Sequence, residues 1–170
     1  MKRFMGLTAA VLGLVSVVSG AQAADIGFKG IGGHLAISDT GGAGSAIAFG
    51  ANADMGEFIP HLAFHPSVTY WSKTYHSDWK ITQVRLNGDV RYEFSVNSRI
   101  TPYAGGGLAL VHLSWGGPAY YYSASGTGAE INLLGGASVP LSGKVDGFGE
   151  LRIEGGGFNI SVGATMPLGS

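Results

Sequence analysis

The strict alternation of apolar and polar side chains between Ile81 and Phe94 is the feature of this sequence that most limits its fold. The even positions are mostly apolar and end in two aromatic residues, whereas the odd positions from Gln83 to Glu93 are all polar and carry both signs of charge. Successive side chains of a β-strand point to opposite faces, so this period separates the two sets cleanly. A helix, with its period of 3.6, does not. The segment therefore predicts a strand with one apolar and one charged face.

The same alternation recurs along the chain, most clearly at Phe158–Leu168 and in the segment that begins at His61. Pro66 lacks a ladder donor, and glycines cluster between Gly30 and Gly33, so we expect irregularities in the third and first strands. Eight such segments separated by turns are typical of an antiparallel up-and-down β-barrel. The strands are predicted at about 25–37, 45–55, 61–73, 80–94, 101–113, 129–139, 145–154 and 158–168.

The first 23 residues have the three parts of a secretory signal peptide. Lys2 and Arg3 precede an apolar run from Phe4 to Val18, and Ala21-Gln22-Ala23 supplies small residues at a cleavage site. The prediction is a leader at 1–23 and a barrel domain at 24–170. Without the leader the formal net charge falls from −1 to −3, which argues against a nucleic-acid partner. The chain has no cysteine, so an exported domain must find its stability without disulfides.

Alternation alone leaves open which face points outward. In a soluble barrel of the lipocalin type the apolar face would surround a ligand, whereas in a membrane barrel it would meet lipid. Charged residues are only 12% of the chain, too few to coat a soluble surface. Aromatic residues gather near strand ends, as in an interfacial girdle. These residues are Tyr70, Trp71, Tyr92, Phe94, Tyr103 and Trp115. We therefore favour the membrane barrel.

The run from Arg99 to Ala109 resembles a recurring feature of one family. A turn, then Pro102-Tyr103, then a glycine-rich apolar strand is similar to the opening of the fifth strand in small outer-membrane β-barrels, the group of the outer-membrane protein A transmembrane domain, outer-membrane protein X and opacity-like proteins. The resemblance implies location in the outer membrane, contact with outer-membrane lipids and lipopolysaccharide, and insertion by the barrel-assembly machinery. It implies no cofactor and no catalytic residue. Such barrels usually end on an aromatic residue, whereas this chain ends Leu168-Gly169-Ser170.

The charged faces of the strands supply the first candidate site. An eight-stranded barrel is just wide enough for side chains to fill, and buried charges must be paired. We expect a charge network that plugs the lumen; a narrow pore for small solutes is the alternative. The predicted network contains Lys73, Arg85, Asp89, Arg91, Glu93, Glu130, Glu150 and Arg152.

A second candidate is His112 with Ser114 and Glu130, because outer-membrane lipid A deacylases use a His, a Ser and a Glu on a barrel wall. In that family the His-x-Ser pair lies near the seventh strand, where this chain has no histidine. An envelope enzyme acting on lipid is therefore a lesser alternative, and these residues are interpreted as a polar strand end. His61 and His65 are four apart, which on a strand separates them by about 13 Å. No zinc site is expected, and His34 and His76 do not change this.

The third candidate is the connection predicted at 114–128, the longest on the side that would face outward. It carries the aromatic residues Trp115, Tyr120, Tyr121 and Tyr122. Exposed aromatic residues either lie against lipid headgroups or bind a surface partner. The sequence thus predicts a non-enzymatic outer-membrane barrel with a structural or surface-interaction role.

Overall fold

The computed structural model describes residues 25–39, 44–75, 79–117 and 123–168. The predicted leader at 1–23 lies outside the described residues, as do His76 and Tyr120 to Tyr122. Within the described residues there is no helix of the length and apolarity needed to cross a membrane.

Eight antiparallel strands form a closed barrel in which each strand pairs with its neighbours in sequence and β1 pairs with β8. The predicted fold class is confirmed. The strands are β1 (Asp25–Asp39), β2 (Ser45–Ile59), β3 (Leu62–Thr74), β4 (Lys80–Glu93), β5 (Thr101–Gly116), β6 (Ala124–Ser142), β7 (Val145–Glu154) and β8 (Gly157–Pro167). We call the end with the connections after β1, β3, β5 and β7 the loop end, and the opposite end the turn end.

The main difference from the predicted strands lies in the β5–β6 hairpin. β5 continues to Gly116 and β6 begins at Ala124, so the connection spans 117–123 and the long loop predicted at 114–128 is wrong. Residues 125–128 are small or polar, a composition typical of loops, but they pair with β5 in unbroken register. Ladder hydrogen bonds form between backbones, so a polar strand is stable where it leaves the apolar zone.

The two expected irregularities are present, each slightly displaced. The β1–β2 register shifts between Ile26 and Gly30, just before the glycine cluster. The β2–β3 register shifts between Asn52 and Glu57, opposite the part of β3 that holds Pro66. β3 still pairs continuously with β4 through Pro66, so the proline disturbs only one of its two ladders.

The barrel is built with its apolar face outward. Ile47 on β2 is 78% exposed and Ile131 on β6 is 74% exposed, whereas Asp89 on β4 is fully buried. The outer positions of all eight strands form an apolar belt, and the polar positions line the lumen. This arrangement rules out the soluble lipocalin type, whose polar face would point outward.

Candidate functional site

The lumen holds a connected network of buried ion pairs. Arg91 on β4 contacts Glu150 on β7, with Nη2 2.7 Å from Oε2. Glu150 also accepts from Arg152, whose Nη2 lies 2.8 Å from Glu150 Oε1 and 2.8 Å from Asp89 Oδ2. Asn132 of β6 donates to the second oxygen of Asp89 at 3.0 Å. These contacts join β4, β6 and β7 across the interior.

Tyr103 of β5 lies inside the same network. Its hydroxyl donates to Glu150 at 3.2 Å, and the Arg91 guanidinium lies 4.8 Å from the centre of its ring. The sequence placed Tyr103 in an interfacial girdle, and this is wrong, because its position on β5 alternates to the lumen. Its side chain is buried and supplies both a hydrogen bond and a cation–π contact.

A second group of ion pairs lies toward the loop end. Arg85 of β4 contacts Glu130 of β6 at 2.9 Å and Glu154 of β7 at 3.3 Å, both through Nη1. Glu154 was absent from the predicted network, although it shares the polar face of β7 with Glu150 and Arg152. The alternation along β7 places Glu154 on the same face as the two residues that were predicted.

Two predicted members of the network lie apart from it. Lys73, near the loop end, donates to the backbone oxygen of Ser45 at 2.9 Å, and its ammonium lies 5.1 Å from the centre of the Tyr75 ring. Glu93 ends β4 at the turn end and has no ion pair with another described residue. The structure thus brings together Arg85, Asp89, Arg91, Glu130, Glu150 and Arg152.

Glycines on the lumen face make room for these large side chains. A Cβ on Gly136 would lie 2.6 Å from the Tyr103 hydroxyl, and one on Gly107 would lie 2.5 Å from Oδ1 of Asp89. Both distances are shorter than real carbon contacts allow. The sequence is rich in glycine partly because large side chains fill the interior of so narrow a barrel. A lumen position beside one of them has no room for a side chain of its own.

An apolar cluster closes the lumen at the loop end, and the sequence did not predict it. Trp71 is 1% exposed, packs with Ala36 and Ala48, and lies against Ile81 and Leu113. Its indole Nε1 donates to Gln83 Oε1 at 2.6 Å. Trp71 was assigned to the outer girdle, which is wrong, because odd positions of β3 face inward.

Below this cluster the space left among the polar side chains is small. A cavity of about 20 Å³ is bounded by His34, Asn87 and Arg152, among others. That volume holds about one water molecule. The described lumen is therefore filled by side chains at both its apolar and its charged levels.

The structure separates the three residues of the candidate enzyme site. His112 and Ser114 lie on the outer face of β5, and Ser114 Oγ is 3.2 Å from His112 Nε2. The other ring nitrogen, Nδ1, is 2.8 Å from Thr127 Oγ1. Glu130 alternates to the lumen, where it contacts Arg85. The proposed triad is therefore not formed, because its acid lies on the other side of the barrel wall.

Three of the other aromatic residues predicted in the girdle are on the outer face of the barrel. Tyr70, Tyr92 and Phe94 do lie on the outside, where Tyr70 packs on Phe49 and Tyr92 on Phe94, each at 5.2 Å between ring centres. Trp115 is partly exposed, but it alternates to the same face of β5 as Tyr103, so its assignment to the outer girdle is wrong. Three of its proposed partners, Tyr120 to Tyr122, are outside the described residues.

The described histidines lie in separate parts of the barrel. His34 Nε2 lies 3.1 Å from Thr69 Oγ1 inside the barrel, and His61 lies at the turn end, beside Tyr92. Among the described residues, no group of three or more His, Asp or Glu side chains is placed to hold a metal ion.

Solved structures share this architecture. Neisserial surface protein A is 21% identical with a TM-score of 0.58, and the match covers 83% of this chain and 96% of that one. The fold of this chain is that of the small outer-membrane β-barrels. Ail, the attachment invasion locus protein of Yersinia pestis, matches at 10% identity with a TM-score of 0.58, over 83% and 97% of the two chains. The outer-membrane enzyme PagL matches at 14% identity with a TM-score of 0.52, over 81% and 99%. No family model and no curated protein sequence matches the chain.

Proposed function

We propose that this chain is an integral outer-membrane protein that acts through its outer surface, and that it is neither a pore nor an enzyme. The observation that carries the proposal is the combination of an apolar exterior with a lumen filled by paired charges. The loop end would face the outside of the cell and the turn end the periplasm, as in the barrels it resembles.

The apolar belt supports residence in a membrane. Ile47, Ile131 and Leu133 are each at least 65% exposed, and similar residues occupy the outer positions of every strand. A soluble monomer rarely exposes an apolar patch of more than a few hundred Å². In a bilayer the same surface is matched to its surroundings, and barrel closure leaves no strand edge unpaired.

The filled lumen argues against transport. A solute path would have to pass the Trp71 cluster and then the contacts that join Arg85, Asp89 and Arg152 to their partners. These contacts are 2.8–3.3 Å long, which leaves no gap between the paired groups for an ion with its hydration shell. Breaking such buried pairs is expensive, so thermal opening of the lumen would be rare.

The His112–Ser114 pair argues only weakly for catalysis. A serine nucleophile needs a base, and the base is normally oriented by a group that also stabilises its positive charge. Thr127 orients the ring but bears no charge, and the nearest carboxylate in sequence, Glu130, faces inward. PagL has this fold and is an enzyme, so the fold is compatible with catalysis. Among the residues that the structure describes, no carboxylate is placed to complete the site.

A surface role is supported by what similar barrels do. The Ail barrel was solved in complex with a heparin analogue. A barrel of this fold that is named for attachment and not for catalysis therefore binds a ligand. In this chain the connections at the loop end would be exposed on the cell surface. The longest of these connections is 117–123, between β5 and β6. A partner that binds through this connection and the neighbouring Trp115 is our proposal for the interaction.

Three measurements test the proposed function. The full-length protein should partition into the outer-membrane fraction, require detergent for extraction, and run as a compact band that shifts on boiling. In planar bilayers it should give no steady conductance. Depletion of the barrel-assembly machinery should reduce its amount in the membrane. A freely soluble periplasmic protein, or a stable conductance from the wild type, would overturn the proposal.

A further inference from the structure

A row of four hydroxyl side chains crosses the outer face of the barrel near the loop end. In the ladder register Ser72 pairs with Thr82, Thr82 with Ser114, and Ser114 with Ser125. All four alternate to the outside, and Ser72 Oγ lies 3.1 Å from Thr82 Oγ1. We call these four residues the hydroxyl row.

Polar groups also lie directly on either side of the hydroxyl row. One outer position toward the turn end, Tyr70, His112 and Thr127 occupy the next rung, with Val84 between them. One position toward the loop end, Thr74 pairs with Lys80. Hydroxyls, an imidazole, a phenol and an ammonium thus occupy one continuous patch of the wall.

The hydroxyl row lies where the apolar belt stops. On β4 the outer residues that follow toward the turn end are Val84 and Leu86, and on β5 Leu110 and Leu108 follow after His112. In a bilayer this edge coincides with the boundary between acyl chains and headgroups. Polar side chains at this level would meet headgroups and escape the penalty of unpaired polar groups in hydrocarbon.

The patch is confined to one side of the barrel. β3 to β6 each carry at least two polar outer positions beyond the belt. On the other four strands the apolar residues Ile37, Ile47, Ile153 and Phe158 continue to within one outer position of the loop end. A simple polar rim would run around the whole barrel. A one-sided patch is what a docking site for a single headgroup requires.

The charge on this side favours an anion. All residues of β3 to β6 are described, and their outer positions carry no Asp or Glu, while Lys80 is their one Lys or Arg. Lys80 is exposed and has no ion pair with another described residue. An ammonium of this kind binds phosphate, and hydroxyl and imidazole groups hydrogen-bond to sugars.

We propose that the hydroxyl row with Lys80 docks the phosphorylated sugar headgroup of a glycolipid in the leaflet at the loop end. The site rests on the proposed function, because a lipid neighbour requires the barrel to lie in a membrane. The sugar hydroxyls pair with the hydroxyl row, the phosphate binds Lys80, and the acyl chains lie on the belt below.

Native mass spectrometry of the intact protein in detergent, with diphosphoryl lipid A added, measures this binding. Lys80→Gln should weaken it about tenfold, the effect of losing one charge-assisted contact, and should leave binding of dephosphorylated lipid A unchanged. Thr82→Val with Ser114→Ala should weaken binding of both lipids. Lys144→Gln, at the turn end, is the matched control and should bind as the wild type does.

Further comparisons decide the kind of ligand. Phosphatidylglycerol should bind more weakly than lipid A and without dependence on Thr82 and Ser114, and free glucosamine phosphate should not compete. Equal binding of phosphatidylglycerol, or full competition by the soluble sugar, would overturn the proposal, as would equal effects of Lys80→Gln and Lys144→Gln. The heat-modifiability of each variant on gels distinguishes failure of the lipid site from failure of the proposed function. A barrel that inserts but does not select lipid A refutes this site alone, whereas a soluble protein refutes the proposed function as well.

Discussion

Replacement of Asp89 by Asn tests whether the charge network holds the barrel together. Asp89 is fully buried, forms an ion pair with Arg152 at 2.8 Å and accepts a hydrogen bond from Asn132 at 3.0 Å, and its strand lies between β3 and β5 in the sheet. Asparagine has nearly the same shape, so the substitution removes the charge and one acceptor without leaving a cavity. Any loss of stability then reports on electrostatics and hydrogen bonding.

The expected loss follows from the two contacts. A hydrogen bond to a charged group contributes about 1.5–3 kcal/mol, and an unpaired buried donor adds about 1–3 kcal/mol. Arg152 keeps its contact with Glu150, which reduces the penalty. We expect Asp89→Asn to lower the free energy of unfolding by about 3 kcal/mol, at the lower end of the range for breaking a buried ion pair.

The assay is reversible urea unfolding in lipid vesicles, followed by tryptophan fluorescence and by the mobility of unboiled samples on gels. Asp25→Asn is the matched control, because Asp25 forms a 2.6 Å ion pair with Lys29 but both side chains are well exposed. An exposed pair contributes at most about 1 kcal/mol, so this variant should resemble the wild type. Equal, small losses for the two variants would refute the reasoning, since they would mean that water screens the lumen as it does the surface.

Three further outcomes are expected. Trp71→Ala should destabilise the barrel by about 3–5 kcal/mol through the cavity it leaves, and bilayer recordings should still show no conductance because the ion pairs below remain. Purified wild type should release no more fatty acid from lipid A than Ser114→Ala does; a clear difference in a mass-spectrometric assay would restore the enzyme interpretation. Gly136→Ala should cost about 1–3 kcal/mol by crowding the backbone oxygen of Gly149 and displacing Tyr103, whereas Gly128→Ala, with open space around its Cβ position, should be neutral in the same urea assay.

The sequence was most informative where alternation was strict. β4 was located to within one residue at each end, and its odd residues Arg85, Asp89 and Arg91 were correctly grouped on one face. Period-two alternation follows directly from strand geometry, so it survives without knowledge of the neighbours. Whether that face points into the lumen or outward depends on the solvent around the barrel. The alternation within one strand carries no information about that solvent.

Residues at the margins of the pattern were harder to place. Trp71 and Tyr103 are aromatic residues near strand ends, a position shared by girdle residues and by lumen plugs. Only the phase of the strand distinguishes them, and in β5 the glycines and apolar residues on both faces obscure that phase. The pairing of the charges could not be predicted from the sequence either. Arg85 contacts Glu130 and Glu154 across the lumen, and such contacts depend on the curvature of the closed sheet.

The paths of the ion pairs constrain how the chain enters a membrane. β4 carries Arg85, Asp89 and Arg91, yet its ladder neighbours β3 and β5 offer no carboxylate or guanidinium to any of them, and the partners arrive only with β6 and β7. A β3–β4 hairpin that crossed the hydrocarbon first would carry three unneutralised charges, each costing several kcal/mol. Insertion one hairpin at a time is therefore unfavourable for this sequence. The sheet must curl and bring its last strands into place as it crosses, so translocation of the wall and completion of its interior form one cooperative event.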